Sequence, residues 1–180
     1  PHLIKFFKKI GSTFAGVYVT IIRGTPVALQ LFIMVLQILV IPNVDMQTIA
    51  IILTFGINSG AYVSESIRAG IQSVDKGQME AGRALGLSKW QTMRKVIIPQ
   101  AIKNVLPSIG NELIMVIKET SLASTVDAGI GELMSVKKQI TAASFINIPP
   151  FIVIAAMYFV VTFSLSKVVG YIERRLEARD

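Results

Sequence analysis

Asn58, Tyr62 and Glu65 fall at i, i+4 and i+7, so a helix through them carries an amide, a phenol and a carboxylate on one face. Ser59 adjoins the first of them. Further along, Glu112 stands beside Asn111 within an apolar stretch, and Lys118-Glu119-Thr120-Ser121 closes that stretch. Gln30 and Gln37 lie two turns apart in an earlier one. Polar and ionisable groups inside apolar runs are costly, and they mark pathways for small polar solutes. The same groups also serve as hydrogen bonds between helices, an alternative that weighs most for Gln30, Gln37 and Asn111. Lys118 and Glu119 have their own alternative, a pair at a membrane interface. Covalent catalysis finds little material here. The chain has no cysteine, and its one histidine, His2, lies at the extreme end, so there is nothing for thiol chemistry, a metal cluster or a histidine-based triad. No Gly-x-x-x-x-Gly-Lys-Ser/Thr loop is present to cradle a nucleotide.

The elements that position these groups are long and apolar. Charged residues make up 16% of the 180, and hydrophobic ones 52%. A soluble domain carries about a quarter charged residues, so this balance predicts an integral membrane protein. Spans are expected over 17–41, 47–69, 101–118 and 150–169, the first interrupted at Arg23-Gly24-Thr25-Pro26. The first and third are short or polar-interrupted, and buried soluble helices are their alternative. Thr141–Pro150, with its Pro149-Pro150 pair, reads as a loop before the last helix. The expected fold class is an all-α, polytopic membrane helical bundle forming one domain over 1–180. The net charge of +7 is unevenly spread. Lys5, Lys8, Lys9 and Arg23 precede the first span. Lys76, Arg83, Lys89, Arg94, Lys95 and Lys103 crowd the connection after the second, and Arg174, Arg175 and Arg179 lie in the tail. The Pro42–Met46 connection has only Asp45, and Lys118–Pro149 balances its lysines with Glu119, Asp127 and Glu132. Lys/Arg excess marks the cytoplasmic side, which puts both ends and the 74–103 stretch in the cytoplasm.

That stretch has the signals of two short helices. Asp75 with Gln78 and Ser88 with Gln91 have capping-box spacing, Gly86 sits at a helix C′ position, and Pro99 reads as the end of the second helix. On the first helix, Lys76–Leu85, the residues Ala81, Ala84 and Leu85 share a face of small size that lets a partner approach the backbone. Glu80 and Arg83 suit the helix dipole and an interface. Trp90, Met93, Ile97 and Ile98 form a stripe expected to pack on the membrane helices. One alternative lays the first helix on the bilayer surface. Another follows from Arg83–Thr92, which looks much like a helix-turn-helix and suggests a membrane-anchored DNA reader. Close flanking spans and scarce apolar material for a separate domain argue against it.

Glu80-Ala81-Gly82, Gly86 and Ile98-Pro99 resemble the EAA signature of ABC importer permeases, with Gly82 where the family usually has Ala. Arg23-Gly24-Thr25-Pro26, Asn58-Ser59-Gly60-Ala61-Tyr62, Arg68–Val74, Lys76-Gly77-Gln78, Gly110-Asn111-Glu112 and Lys118–Ser124 resemble the polar amino-acid branch of that family. The resemblance covers nearly the whole chain. It implies a type I transmembrane fold and a cytoplasmic 74–100 loop whose coupling helix, Glu80, Ala81, Gly82, Arg83, Ala84, Leu85 and Gly86, docks on a separate ATPase dimer. It further implies a second permease chain, identical or homologous, and an extracytoplasmic solute-binding protein. The amino-acid cargo would cross a prokaryotic inner membrane by alternating access. Asn58, Ser59, Tyr62, Glu65, Glu112, Lys118, Glu119, Thr120 and Ser121 become the expected substrate path, able to meet an α-carboxylate and an α-ammonium. The chain itself would be no enzyme and hold no metal or cofactor; ATP and Mg would sit on the ATPase. Such permeases usually have five spans, so one is expected before Pro1, in keeping with the missing start methionine. A secondary transporter or channel, needing no ATPase, is the competing transport class.

Overall fold

A computed structural model describes the backbone of residues 2–38, 44–126 and 131–177, with side chains over 11–35, 46–126 and 131–176. The side chains of Lys5, Lys8, Lys9, Gln37 and Asp45, together with Asp127 and Arg179, lie outside the described residues. In chain order the elements are α1 (His2–Gly24), α2 (Val27–Phe32) leading into a π turn (Ile33–Ile38), α3 (Val44–Ser73), α4 (Lys76–Ala84), and α5 (Lys89–Thr92) with a π turn (Met93–Ile97). They continue with α6 (Ile98–Glu119), a 3-10 turn (Thr120–Val126), α7 (Leu133–Ser144) and α8 (Ile148–Glu177). The fold class is all-α, with no strand among the described residues. Met46–Ser73 and Ile148–Leu176 are long and apolar enough to cross a bilayer, with mean hydropathies of 1.3 and 2.1. Gly11–Gly24 and Val27–Val35 meet that test only together, and they are bent by 105° at the break between them. The expected first span is therefore two helix pieces. The 101–118 stretch lies within α6, whose Lys103, Glu112, Lys118 and Glu119 keep it below the apolarity of the others. The expected loop at 141–150 shrinks to residues 145–147. Pro149 and Pro150 sit in the first turn of α8, where no backbone N–H is needed.

The chain forms two compact units: Pro1–Tyr62 with Glu119–Ala156, and Val63–Lys118 with Met157–Asp180. In the first, Leu31 and Val35, Ala50, Ile51 and Phe55 of α3, and Ala123 and Val126 make a buried cluster. In lipid, apolar burial alone drives little helix association, so packing and hydrogen bonds must hold such contacts. The break after α1 shows how. A helix end in hydrocarbon leaves carbonyls that water cannot satisfy. Gln30 Nε2 donates to the carbonyls of Ile22 (2.8 Å) and Thr25 (3.1 Å) and to Thr25 Oγ1 (2.8 Å). Its Oε1 accepts from Nδ2 of the buried Asn58 at 3.0 Å. Tyr18 donates its hydroxyl to the Ile57 carbonyl at 2.5 Å, and Arg23 lies 5.3 Å from the centre of the Tyr62 ring. The Arg-Gly-Thr-Pro break is thus tied to α3 through Gln30 and Arg23, with Tyr18 adding a bond from the preceding turns. In the 3-10 turn, Ser124 and Thr125 hydroxyls bond the i−3 carbonyls of Ser121 and Leu122, and Lys138 donates to the Ser124 carbonyl.

In the second unit, α5, the π turn and α6 follow one another without interruption from Lys89 to Glu119, so Pro99 does not end a helix. The wider π turn just before it removes the clash that a proline ring makes with the preceding turn. Val74, Ile97 and Ala101 form the local core with Met79, Met93 and Val96. α3 and α6 meet at Gly70, where an added Cβ would collide with Val105, and α6 meets α8 at Gly110, where it would lie 2.7 Å from Val169.

Asn58→Ala removes one hydrogen bond from Gln30, whereas Gln30→Ala also strips the donors from the α1 end. Unfolding of the purified chain in detergent should show the larger loss for Gln30→Ala. The double variant should reveal a coupling of about 0.5–1.7 kcal/mol, the range for interhelical hydrogen bonds in membranes. Additive losses would show that the pair does not act as one latch.

Candidate functional site

The 74–103 region is a closed helical hairpin. Asp75 caps α4 through Gly77 N at 2.6 Å rather than through a box with Gln78. The Gln78 side chain accepts instead from Gln100 Nε2 at 3.4 Å. The second cap is a full capping box: Gln91 N donates to Ser88 Oγ (3.2 Å) and Ser88 N to Gln91 Oε1 (2.8 Å). Between them, Gly86 has φ +82°, a left-handed conformation that disfavours side chains. Its N–H bonds the Arg83 carbonyl at 3.0 Å, and Leu87 N bonds the Gly82 carbonyl at 3.1 Å. These two bonds make a Schellman end to α4. Arg83 reinforces it by donating to the Leu87 carbonyl at 3.1 Å.

The two legs close through Gly82 and Thr92. Both are buried, Thr92 completely. A Cβ on Gly82 would overlap the Thr92 methyl and lie 3.1 Å from its Oγ1. Thr92 Oγ1 in turn donates to the Ser88 carbonyl at 3.1 Å. The Ala-to-Gly departure at position 82 is therefore matched by a threonine on the facing leg, a pairing that reading the motif alone misses. Glu80, Ala81, Arg83, Ala84, Leu85 and Gly86 are exposed, Leu85 by 83%. Trp90 is 68% exposed, so the expected stripe holds only for Met93, Ile97 and Ile98. Trp90, three residues before Met93, stays outside the core contact that Met93 and Ile97 make. Ala81, Ala84, Leu85 and Trp90 leave the hairpin with an outward apolar surface beside Arg83 and Lys89.

The expected path residues fall into the two units. In the first, Asn58 is buried against Gln30, Ser59 and Tyr62 are half-buried, and Thr120 and Ser121 begin the 3-10 turn with Glu119 just before it. In the second, Glu65 is ion-paired with Arg68, whose Nε lies 2.8 Å from Oε2. Arg68 also donates to Gln72 at 2.7 Å. Glu112 is half-buried, and its carboxylate has no hydrogen bond or ion pair among the described residues. Lys118, exposed, ends the first segment of that unit. Tyr18 and the Asn104–Ser73 hydrogen bond of 2.8 Å were not singled out in the sequence, and Thr25 and Thr92 stood there only as members of longer motifs. Their roles lie in contacts across helices, to which hydropathy and spacing are blind.

Membrane-length helices interleaved with a rigid polar hairpin define a helical membrane transport component. The model of the family of binding-protein-dependent transport system inner membrane components matches residues 4–178, and the chain belongs to that family. It is a permease subunit of an ABC importer, a multi-pass inner-membrane protein and not an enzyme. It is 40% identical over 164 residues to a putative glutamine transport system permease protein of Rickettsia bellii, covering 91% of this chain and 74% of that protein. Identity is 37% over 171 residues to the glutamine transport system permease protein of Escherichia coli, at 93% and 77% coverage. It is 38% over 168 residues to an arginine transport system permease protein of Bacillus subtilis, at 92% and 75%. The crystal structure of an amino acid ABC transporter with histidines superposes with a TM-score of 0.83 at 42% identity, covering 96% of this chain and 78% of that one.

Gly82→Ala should force the legs apart, costing about 1–3 kcal/mol as over-packing does. Thr92→Ser, which deletes the clashing methyl and keeps the hydroxyl, should restore most of it. Proteolysis within 83–90 measures the opening. Equal cleavage of Gly82→Ala and of the double variant would refute the contact.

Proposed function

We propose that this chain is the permease of an ATP-driven amino-acid importer, coupled to a separate ATPase through α4. The observation that carries the reading is the rigid hairpin with its outward face. Capping box, Schellman turn and Gly82–Thr92 contact leave it little internal freedom, while Ala81, Ala84 and Leu85 remain open to a partner. A stiff element transmits a push; a loose one absorbs it. Glu80 to Gly86 are the docking residues, Trp90 extends the surface, and Ser88–Ile98 is the strut leading into α6.

On this reading the hairpin and the C-terminus are cytoplasmic, a placement that the lysine and arginine excess supports. ATP and Mg bind the ATPase dimer, and this chain holds neither. Closure of that dimer displaces α4 and switches two paired permeases, identical or homologous, between inward- and outward-facing states. A solute-binding protein delivers the cargo outside. The names of the relatives, glutamine and arginine among them, support an amino acid as that cargo. Asn58, Ser59, Tyr62, Glu65, Glu112 and Lys118–Ser121 line its way. Glu112 is the leading candidate for the cargo ammonium, since no residue described holds its carboxylate.

Gly86→Val places a β-branched residue at φ +82°, a strain of at least about 1–2 kcal/mol. In proteoliposomes with the partner ATPase, ATP hydrolysis should persist while solute uptake per ATP falls severalfold. Uptake at the parent ratio would sink the coupling role. Glu112→Ala should weaken transport with ATPase assembly intact. Unchanged uptake kinetics would remove Glu112 from the path.

A further inference from the structure

Grooves mark the surface of the second unit. One, among α3, α6 and α8, is polar, with Ser66, Lys103 and Glu173 in its wall. Two others are lined by apolar residues: one of about 420 Å³ between α3 and α6, and one of about 240 Å³ between α6 and α8. The floor of the α3–α6 groove is Ala101 and Val105, both buried where Gly70 lets α3 approach. Ile67, Ile71, Ile102 and Leu106 form its rims, and all four are exposed. Along α6 it runs from Ile98 to Ile109, about 16 Å at 1.5 Å per residue. That is about half the hydrocarbon thickness of a bilayer, the depth of a single leaflet.

One end of this groove is charged. Arg94 and Lys95 stand one turn before Ile98 on the same unbroken helical run, both exposed. Arg94, Ile98, Ile102, Val105 and Ile109 recur at three or four residues, so the arginine heads the groove's own face. Neither cation has a hydrogen bond or ion pair among the described residues. The α6–α8 groove starts at Leu106, about 12 Å further along α6 from this pair than Ile98 is.

We propose that the α3–α6 groove seats one acyl chain of an anionic phospholipid, with Arg94 and Lys95 holding its phosphate. An open apolar length with two cations at one end matches an amphiphile with a negative head. Basic residues at a membrane surface draw anionic lipids, and basic sites between membrane helices hold their head groups. A second copy of this chain fits worse. Two copies related by a twofold axis along the membrane normal keep equivalent residues at one depth, so docking on this groove would bring two more cations to the same end. The inference needs the membrane placement that the family gives, not the coupling role proposed above. A lipid held there braces the helix where α5 passes into α6.

The assembled transporter in detergent is mixed with equal amounts of phosphatidylglycerol and phosphatidylcholine of the same acyl chains, and retained lipid is read by native mass spectrometry. Two surface cations should favour phosphatidylglycerol by about thirtyfold. Arg94→Gln and Lys95→Gln should each cut that preference about fivefold, and together they should remove it. Exchanging the pair, Arg94→Lys with Lys95→Arg, should retain it. A phosphatidylglycerol carrying a diazirine in one acyl chain should label the 67–71 and 98–109 segments of the parent and spare them in the double Gln variant. Equal retention of the two lipids, a preference intact in the double Gln variant, or adducts spread evenly over α3, α6 and α8 would overturn the site. Displacement by glycerol phosphate would assign the cations to a soluble anion and overturn it as well. So would a disulfide joining two permease copies that carry Ile102→Cys, an unambiguous link in a chain without cysteine. The groove would then be a contact between copies.

Discussion

Backbone polar groups in a bilayer must be satisfied from within the protein, and the break between α1 and α2 is where that constraint presses hardest. Arg-Gly-Thr-Pro frees carbonyls at the end of α1, and the chain turns through 105°. Gln30 supplies donors to the Ile22 and Thr25 carbonyls and spends its own acceptor on Asn58, while the Thr25 hydroxyl donates to the Ile21 carbonyl. The broken span is thereby stabilised without water and fastened to α3. Asn58 is buried for the same reason: its amide completes a network that hydrocarbon would otherwise leave open. A polar residue in a span can thus serve the span's own shape, its donor already engaged.

α3 then runs to Ser73, and α4 starts at Lys76. The hairpin that follows is stiffened at three places by different physics. Ser88 and Gln91 trade hydrogen bonds, Gly86 accepts a conformation most residues resist, and Gly82 leaves room for the Thr92 methyl. What remains exposed is small or apolar: Ala81, Ala84, Leu85 and Trp90. Stiffness behind and accessibility in front are the two properties a docking element in an ATP-driven importer needs.

Much of this was legible in the chain. Charge scarcity and apolar runs pointed to membrane helices, the Glu80–Gly86 motif to the family, and Ser88, Gln91 and Gly86 to their local geometry. Local signals succeed because caps and left-handed turns involve residues three or four apart. Pro99 looked like a helix end, yet a π turn upstream absorbs its ring. Asp75 looked half of a box, yet Gln78 is drawn to Gln100 across the hairpin. Trp90 looked like part of a packed stripe, yet the leg-to-leg contact favours its neighbours. The last two depend on what lies opposite in space, and the first on a change of helix type just upstream.

Composition, periodicity and motif therefore determined the class: a helical membrane permease with a basic hairpin between spans. Those properties follow from solvent preference and short-range hydrogen bonding, which a linear chain displays directly. Tertiary structure alone decided that Gln30 closes the break, that Thr92 answers Gly82, that Arg68 holds Glu65, and that Ser66, Lys103 and Glu173 line one polar groove. Most of these join residues distant in sequence, and even Arg68, one turn from Glu65, had to reach its partner rather than another. Which polar group meets which is settled by how the helices pack.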